Sequence, residues 1–290
     1  MKVEVDISSL KAHQQQEIDG AVLYQRIAGL MKNPGERETL LAISNEEYKH
    51  AAIFEQYTGC KIKPRRFRIF FYVLAARILG YTFVIKLLEK GEDIGIKAYE
   101  NEIGKIPELK KILEEEEIHE EKLLSILDEE RLHYVGDMVL GMNDALVELT
   151  GALAGYTLAM QNTHIIAMAG LITGISATLS MTASGYLSSR EADKNSAVKS
   201  SAYTGAAYLI TVALLIIPYL FIPVEGYMWA LGITLIIAIA IIACFNFYIS
   251  IAKSRPFRRS FLVMAGISMG VAMISFIVGL VVKNVLGIDI

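Results

Sequence analysis

Two all-α parts are predicted for this 290-residue chain, a polar four-helix bundle over 1–133 and a bundle of five membrane-spanning helices over 134–290. Three observations predict them. Residues 1–136 carry 20 Lys/Arg against 24 Asp/Glu, a net of −4, whereas 137–290 carry 8 against 7, a net of +1, confined mostly to short connections. The second part holds apolar runs of roughly 20 residues, the length a bilayer core demands. The first part is rich in Glu, Lys, Leu and Ala, the strong helix formers. The overall balance of −3 gives no reason to expect a nucleic-acid partner.

Helices are expected over 12–32, 35–58, 86–104 and 107–133. Pro34 and Pro107 stand at the starts of the second and fourth, where a missing N–H and a fixed φ cost least. Between the second and third, FRIFFYVLAARILGYTFVIKLL at 67–88 is apolar but carries Arg68, Arg77 and Lys86 and follows the basic run KIKPRRFR. Over 64–88 this predicts an amphipathic segment on the inner membrane face, not a sixth crossing.

Spans are expected at 138–161, 165–189, 202–223, 227–251 and 260–283. Arg190, Lys194 and Lys199 lie between the second and third, and Lys253, Arg255, Arg258 and Arg259 between the fourth and fifth. The other two connections, QNTH and PVEGY, have neither Lys nor Arg. The positive-inside rule then puts the N-terminal domain in the cytoplasm and the C-terminus outside. The pairs Gly151/Gly155, Gly170/Gly174 and Gly266/Gly270 let helix backbones approach closely, as in a packed bundle or a dimer.

The first span carries Asp144 and Glu148, one helical turn apart on one face. A charge at the bilayer centre costs roughly 2.5–3.5 kcal/mol on insertion scales, so such acids face a bundle interior or a wet cavity. They either line an ion path or hydrogen-bond neighbouring helices. Cys60 and Cys244 are isolated, which fits a reducing, cytoplasmic setting, and the N-terminal stretch lacks the apolar core of a cleaved signal. His13 and His164 are expected at the surface, and His133 near the membrane entry as a proton-linked or polar boundary residue.

The polar part repeats one chemical pattern. Glu47 and His50 form a Glu-x-x-His in EYKH on the second helix, and Glu116 and His119 another in EEIH on the fourth. This i, i+3 spacing aims a carboxylate and an imidazole at one point. Taken alone, a run such as EEEEIHEE also reads as a solvated acidic face. The first and third helices, however, each supply one further glutamate, Glu17 and Glu92, with a tyrosine seven residues on, Tyr24 and Tyr99. One Glu from each of two helices and a Glu-x-x-His from each of the other two is the ligand set of a di-iron carboxylate bundle. Hard carboxylates with two imidazoles suit iron, or manganese, better than a thiolate-preferring metal.

At these residues the stretch 10–133 resembles the rubrerythrin branch of the ferritin-like family. The resemblance implies that Glu17, Glu47, His50, Glu92, Glu116 and His119 are di-metal ligands and that Tyr24 and Tyr99 line the pocket. Gly95 stands where rubrerythrin-type sites often carry an extra carboxylate, and the rubredoxin-like cysteine module is absent. Both departures argue against peroxide reduction by electron relay.

Most of 134–290 resembles the vacuolar iron transporter family. GMNDALVELTGALAG at 141–155 is similar to its first-span motif, and ISATLSMTASGYLSS at 175–189 to its Ser-Met stretch. The resemblance implies an ion path lined by Asp144 and Met181, carboxylate and thioether; by residue type alone Met181 is an ordinary core filler. Gly185 replaces the acid that commonly follows the Ser-Met stretch, and Glu148 is the substitute at hand. The connection READKNSAVKS is too short for the family's acidic cytoplasmic segment, a role the N-terminal bundle is placed to take. The order of the two parts resembles the bacterial membrane-bound ferritins.

The function these resemblances imply is that of an inner-membrane (plasma-membrane) Fe(II) transporter, with Mn(II) as second substrate. It exports metal from the cytoplasm in exchange for protons passing Asp144 and Glu148, as a homodimer and not as an enzyme. The rival is a membrane-anchored di-iron oxidase or peroxidase-like enzyme, and the third reading an iron sensor or store. A pure anchor has no need of two intramembrane acids.

Overall fold

The computed structural model describes residues 7–99, 106–126, 134–191 and 196–286, with the side chains of 92–99, 107, 124–126 and 286 outside that description. Among the described residues the protein is all-helical, 90% helix with no strand. It divides into two compact units, Met1–Glu129 and Glu130–Ile290.

The first unit contains α1 (Ile7–Ala28), α2 (Pro34–Thr58), α3 (Arg66–Leu79), α4 (Tyr81–Tyr99) and α5 (Pro107–Ile126). α2 begins where Asn33 Oδ1 accepts from the Gly35 N–H at 3.0 Å with proline at the first helical position. It stops at Gly59, whose φ of 62° is the left-handed conformation that closes helices and that glycine adopts without a Cβ penalty. α1 and α2 pair along their length, burying Leu23, Ile27, Leu40 and Ile43, and Ser44 Oγ donates to the Ala21 carbonyl at 2.7 Å. Leu10 and Phe54 join Ile106, Leu109 and Ile112 in a second cluster that seats α5.

Two expectations are corrected in this unit. The apolar stretch 67–88 is not one segment. Gly80 breaks it at φ 101°, a backbone state L-residues rarely adopt, and α4 begins at Tyr81 rather than at 86. Phe83, Val84 and Ile85, expected at the membrane surface, are buried in the bundle, so only α3 keeps an apolar outer face. His13, expected at the surface, is 6% exposed and stacks on Phe54 with ring centroids 6.1 Å apart. The helix that starts at Ile7 instead of 12 puts position 13 on the same buried side as Leu10, and burial pulls the His13 pKa down. His164 is exposed, as expected, and His133 lies outside the described residues.

The second unit contains α6 (Val135–Met160), α7 (Thr163–Glu191), α8 (Ala197–Phe221), a 3₁₀ turn (Val224–Gly226), α9 (Tyr227–Ala252) and α10 (Phe257–Leu286). Among the described residues four helices, α7 to α10, are long and apolar enough to cross a membrane. α6 has the length, 26 residues, but carries Asp137, Asp144 and Glu148 and is not among those four. It sits innermost and packs on all the others. Its Met142, Leu146, Leu149 and Leu153 form a core with Ile166 of α7 and Tyr208, Val212, Leu215 and Tyr219 of α8.

Small residues set how close these helices come. A Cβ on Gly279 of α10 would lie 2.5 Å from the Gly155 carbonyl oxygen of α6, so the two backbones touch. Gly151 and Gly155 face Val271 and Ser275 of α10, and Gly170 faces Leu153. A Cβ on Gly266 or Gly270 would meet nothing within 4 Å; among the described residues this pair brings no other helix closer. Polar groups close the rest: Thr157 Oγ1 and Tyr219 Oη are 2.7 Å apart, and Ser268 Oγ donates to the Leu146 carbonyl at 3.1 Å.

Candidate metal centre and the acids of the membrane unit

Three helices of the first unit bring acids and imidazoles to one buried point. α1 contributes Glu17, α2 Glu47 and His50, and α5 Glu116; one donor atom from each lies within 4.8 Å of all the others. Spacing explains the convergence, since residues three apart on α2 and α5 share a face. His50 Nδ1 lies 3.4 Å from Glu17 Oε2 and 2.9 Å from Glu116 Oε1. His119 of α5 joins from the other side, its Nδ1 3.4 Å from Glu47 Oε1 and 3.6 Å from Glu116 Oε2, with the two imidazole rings 5.7 Å apart. Glu116 therefore faces both imidazoles. Tyr24 is buried in α1, seven residues from Glu17. Glu92, Gly95 and Tyr99 belong to α4, and their side chains lie outside the described residues.

Two residues that the sequence reading passed over complete the arrangement. The outward nitrogen of each imidazole meets the glutamate preceding the opposite helix's motif: His50 Nε2 is 2.9 Å from Glu115 Oε2, and His119 Nε2 pairs with Glu46 Oε2. The exchange is reciprocal between α2 and α5. The sequence signal was present as E-E-x-x-H in both helices, at 46–50 and 115–119.

These atoms fit a metal ion better than they fit one another. Glu17 Oε2, His50 Nδ1, Glu116 Oε1 and His119 Nδ1 are buried within ion-pair reach of one another, yet none of them makes a well-aligned hydrogen bond. Buried polar atoms are ordinarily satisfied, so four orphans in one cluster mark a site for something that accepts their lone pairs. Outer carboxylates holding Nε2 leave Nδ1 free to ligate and fix each ring's orientation.

Electrostatics point the same way. Burial opposes a charged His50, but Glu116, Glu17 and Glu115 outweigh it and push the pKa up to about 11. For His119 burial is likewise overcome, by Glu116 and Glu47, to about 10. Burial would raise Glu116, yet its two imidazole neighbours hold it down at about 2. Glu47 and Glu17 are raised, by burial first and by neighbouring carboxylates. Without metal, protons supply the positive charge this acid cluster needs; a divalent cation would displace them.

In the second unit Asp144 and Glu148 lie one turn apart on α6. Asp144 is half-buried and Glu148 is exposed on the single chain, where the Tyr208 hydroxyl of α8 donates to Glu148 Oε2 at 3.0 Å. Met181 of α7 is partly buried against the core of the unit. A further acid, Asp137, accepts from Ser200 Oγ at 2.8 Å, and Ser200 Oγ is 3.2 Å from Ser189 Oγ, a polar knot joining α6, α7 and α8.

The long apolar helices of the second unit mark a multi-pass membrane protein, and the first unit gathers Glu and His side chains that could hold a metal ion. Residues 135–194 are a VIT family domain, a match that covers α6 and α7 and so contains Asp144, Glu148 and Met181. That domain points to metal ions, iron or manganese, as the substrates. No curated protein matches the chain.

Proposed function

We propose that the protein is an Fe(II) transporter, with Mn(II) as second substrate, that exports metal from the cytoplasm by exchange for protons and carries its own ferritin-like metal-binding bundle. The observation that carries this reading is the VIT family domain over 135–194, whose first helix bears Asp144 and Glu148. In this reading all five helices of the second unit cross the plasma membrane. The first unit is cytoplasmic and the C-terminus outside, as the loop cations ask.

Asp144 and Glu148 attract the dication and take up returning protons, and Met181 offers a polarisable contact once water is shed. Glu148 is exposed on the single chain. An acid facing lipid is costly, so a second copy covering that side of α6 supports a homodimer with a wet path along the pair. In the first unit Glu17, Glu47, His50, Glu92, Glu116 and His119 would hold iron, which there supplies redox capacity and positive charge. Glu46 and Glu115 orient the imidazoles.

The test is flux into liposomes holding a metal-sensitive dye and a pH dye, with Fe(II) added anaerobically. Metal entry with opposite proton movement, lost in Asp144→Asn, is the expected result. Full transport by that variant refutes the path. Oxygen consumption by a metal-loaded bundle without any flux would instead establish the membrane-anchored oxidase.

A further inference from the structure

We propose that the outward face of α3 is a docking surface for an anionic lipid bilayer. The break at Gly80 confines the surface to this one 14-residue helix. Ile69 and Ala76, seven residues apart, are buried and turn one side of α3 to the bundle, where it packs on α1 and α4. Phe67, Phe70 and Phe71 on the other side are 78%, 57% and 51% exposed, and Leu74 and Ile78 extend the stripe along the helix. At about 100° per residue these five positions fall within an arc of roughly 100°, the width of a surface helix's apolar stripe. Aromatic rings meet edge to face within it, Phe67 on Phe71 at 4.7 Å and Phe70 on Phe71 at 5.7 Å.

Cations border the stripe. By the same geometry Arg66 and Arg77 lie along one edge and Arg68 along the other, its guanidinium carbon 5.4 Å from the Tyr72 ring centre. From position 56 to 88 the chain has seven Lys/Arg and no Asp or Glu, within a part whose net charge is −4. This asymmetry selects the occupant. A second copy of α3 would set arginine against arginine, and the helix itself carries no acid to answer them; Asp19 of α1, beside its start, is already held by Arg65. A bilayer surface with anionic headgroups accepts the rings at the acyl boundary and the arginines at the phosphates. The chain already resides in a membrane, so the surface is at hand whatever ion it carries.

The experiment uses the full chain in nanodiscs, with Cys60→Ser and Cys244→Ser and a single dye-labelled cysteine from Phe71→Cys or, as reference, Lys110→Cys on α5. Nitroxide-labelled lipid is the quencher, in discs containing phosphatidylglycerol or phosphatidylcholine alone. Position 71 should be quenched at least about threefold more than position 110 in the anionic discs. The excess should fall by about half or more in neutral discs or with Arg66→Gln/Arg68→Gln. Metal binding by the bundle, measured on the same samples, certifies that the arginine variant is folded. Equal quenching at the two positions overturns the proposal, as does concentration-dependent cross-linking of Phe71→Cys between copies. Quenching at 71 that ignores lipid charge overturns the anionic assignment.

Discussion

His50 and Glu115 meet at 2.9 Å through the imidazole nitrogen that faces away from the acid cluster, which leaves Nδ1 to look inward at Glu17 and Glu116. The carboxylate thus sets which nitrogen is available and how the ring is turned. Outer partners of this kind typically govern 10- to 100-fold in metal affinity. Glu115→Gln and Glu46→Gln should each weaken Mn(II) binding by about that factor with helix content unchanged. Anaerobic competition titration against a chelator, alongside circular dichroism, checks it; full affinity in both variants would reduce the two glutamates to surface charges.

Metal binding should strengthen as pH rises. The His50 pKa of about 11 and the His119 pKa of about 10 mean that both rings carry protons at neutral pH when metal is absent. A ligating nitrogen must give its proton up, so loading at pH 7 should release about one proton per imidazole. The sign for stability is the reverse. Raised histidines stabilise the metal-free fold fully below their unfolded pKa near 6.5 and lose that contribution as pH climbs through about 10 to 11. Proton release in weakly buffered calorimetry, and its loss in His50→Ala/His119→Ala, measures the first; alkaline melting curves with and without Mn(II) measure the second.

His13 should make the first unit acid-sensitive from another place. Burial holds its pKa below the usual value of 6.5, so as pH falls past that value the unfolded chain takes up the proton first and stability drops. His13→Leu should narrow the gap in melting temperature between pH 7 and pH 5. An unchanged gap assigns the acid sensitivity elsewhere.

Tyr208→Phe removes the hydroxyl that donates to Glu148 at 3.0 Å while keeping the ring in the core. A hydrogen bond to a charged group is worth roughly 1.5–3 kcal/mol, so metal flux in liposomes should fall by about tenfold or more. Normal flux would show that Glu148 needs no orientation by α8.

Gly279→Leu should destabilise the second unit by at least about 2 kcal/mol, because a side chain there has to push α10 off α6. Its first atom alone would sit 2.5 Å from a backbone oxygen. Gly266→Ala, in open space, should melt like the parent in detergent.

Local geometry was readable from the sequence; register was not. The Glu-x-x-His spacing fixes which side chains share a helical face, and the structure gathers Glu47, His50 and Glu116 with Glu17 around one point, with His119 beside Glu47 and Glu116. Which glutamate in EEYKH or EEEEIH crosses to the opposite imidazole depends on how far α2 and α5 slide past each other, and tertiary packing alone decides that. The all-helical class follows from composition, and the stretches of α7 to α10 from length and apolarity. The end of the amphipathic segment was illegible because FVIKLL is as apolar as FRIFFYVL before it; only the packing of Phe83, Val84 and Ile85 distinguishes core from surface. His13 was misread for a related reason, since a histidine beside Lys11 looks solvent-facing until the helix phase is set from Ile7.

The backbone contact between Gly155 and Gly279 joins the first helix of the second unit to its last. On a chain made from its N-terminus, α6 emerges more than a hundred residues before its partner is complete. During that interval the most acidic described helix of the second unit lacks the neighbour its glycines face, and α10 arrives as the keystone that locks it in place. A chain cut before Phe257 would leave α6 with a bare glycine face, so translation arrest or proteolysis there should mark the product for quality control while its other spans are intact.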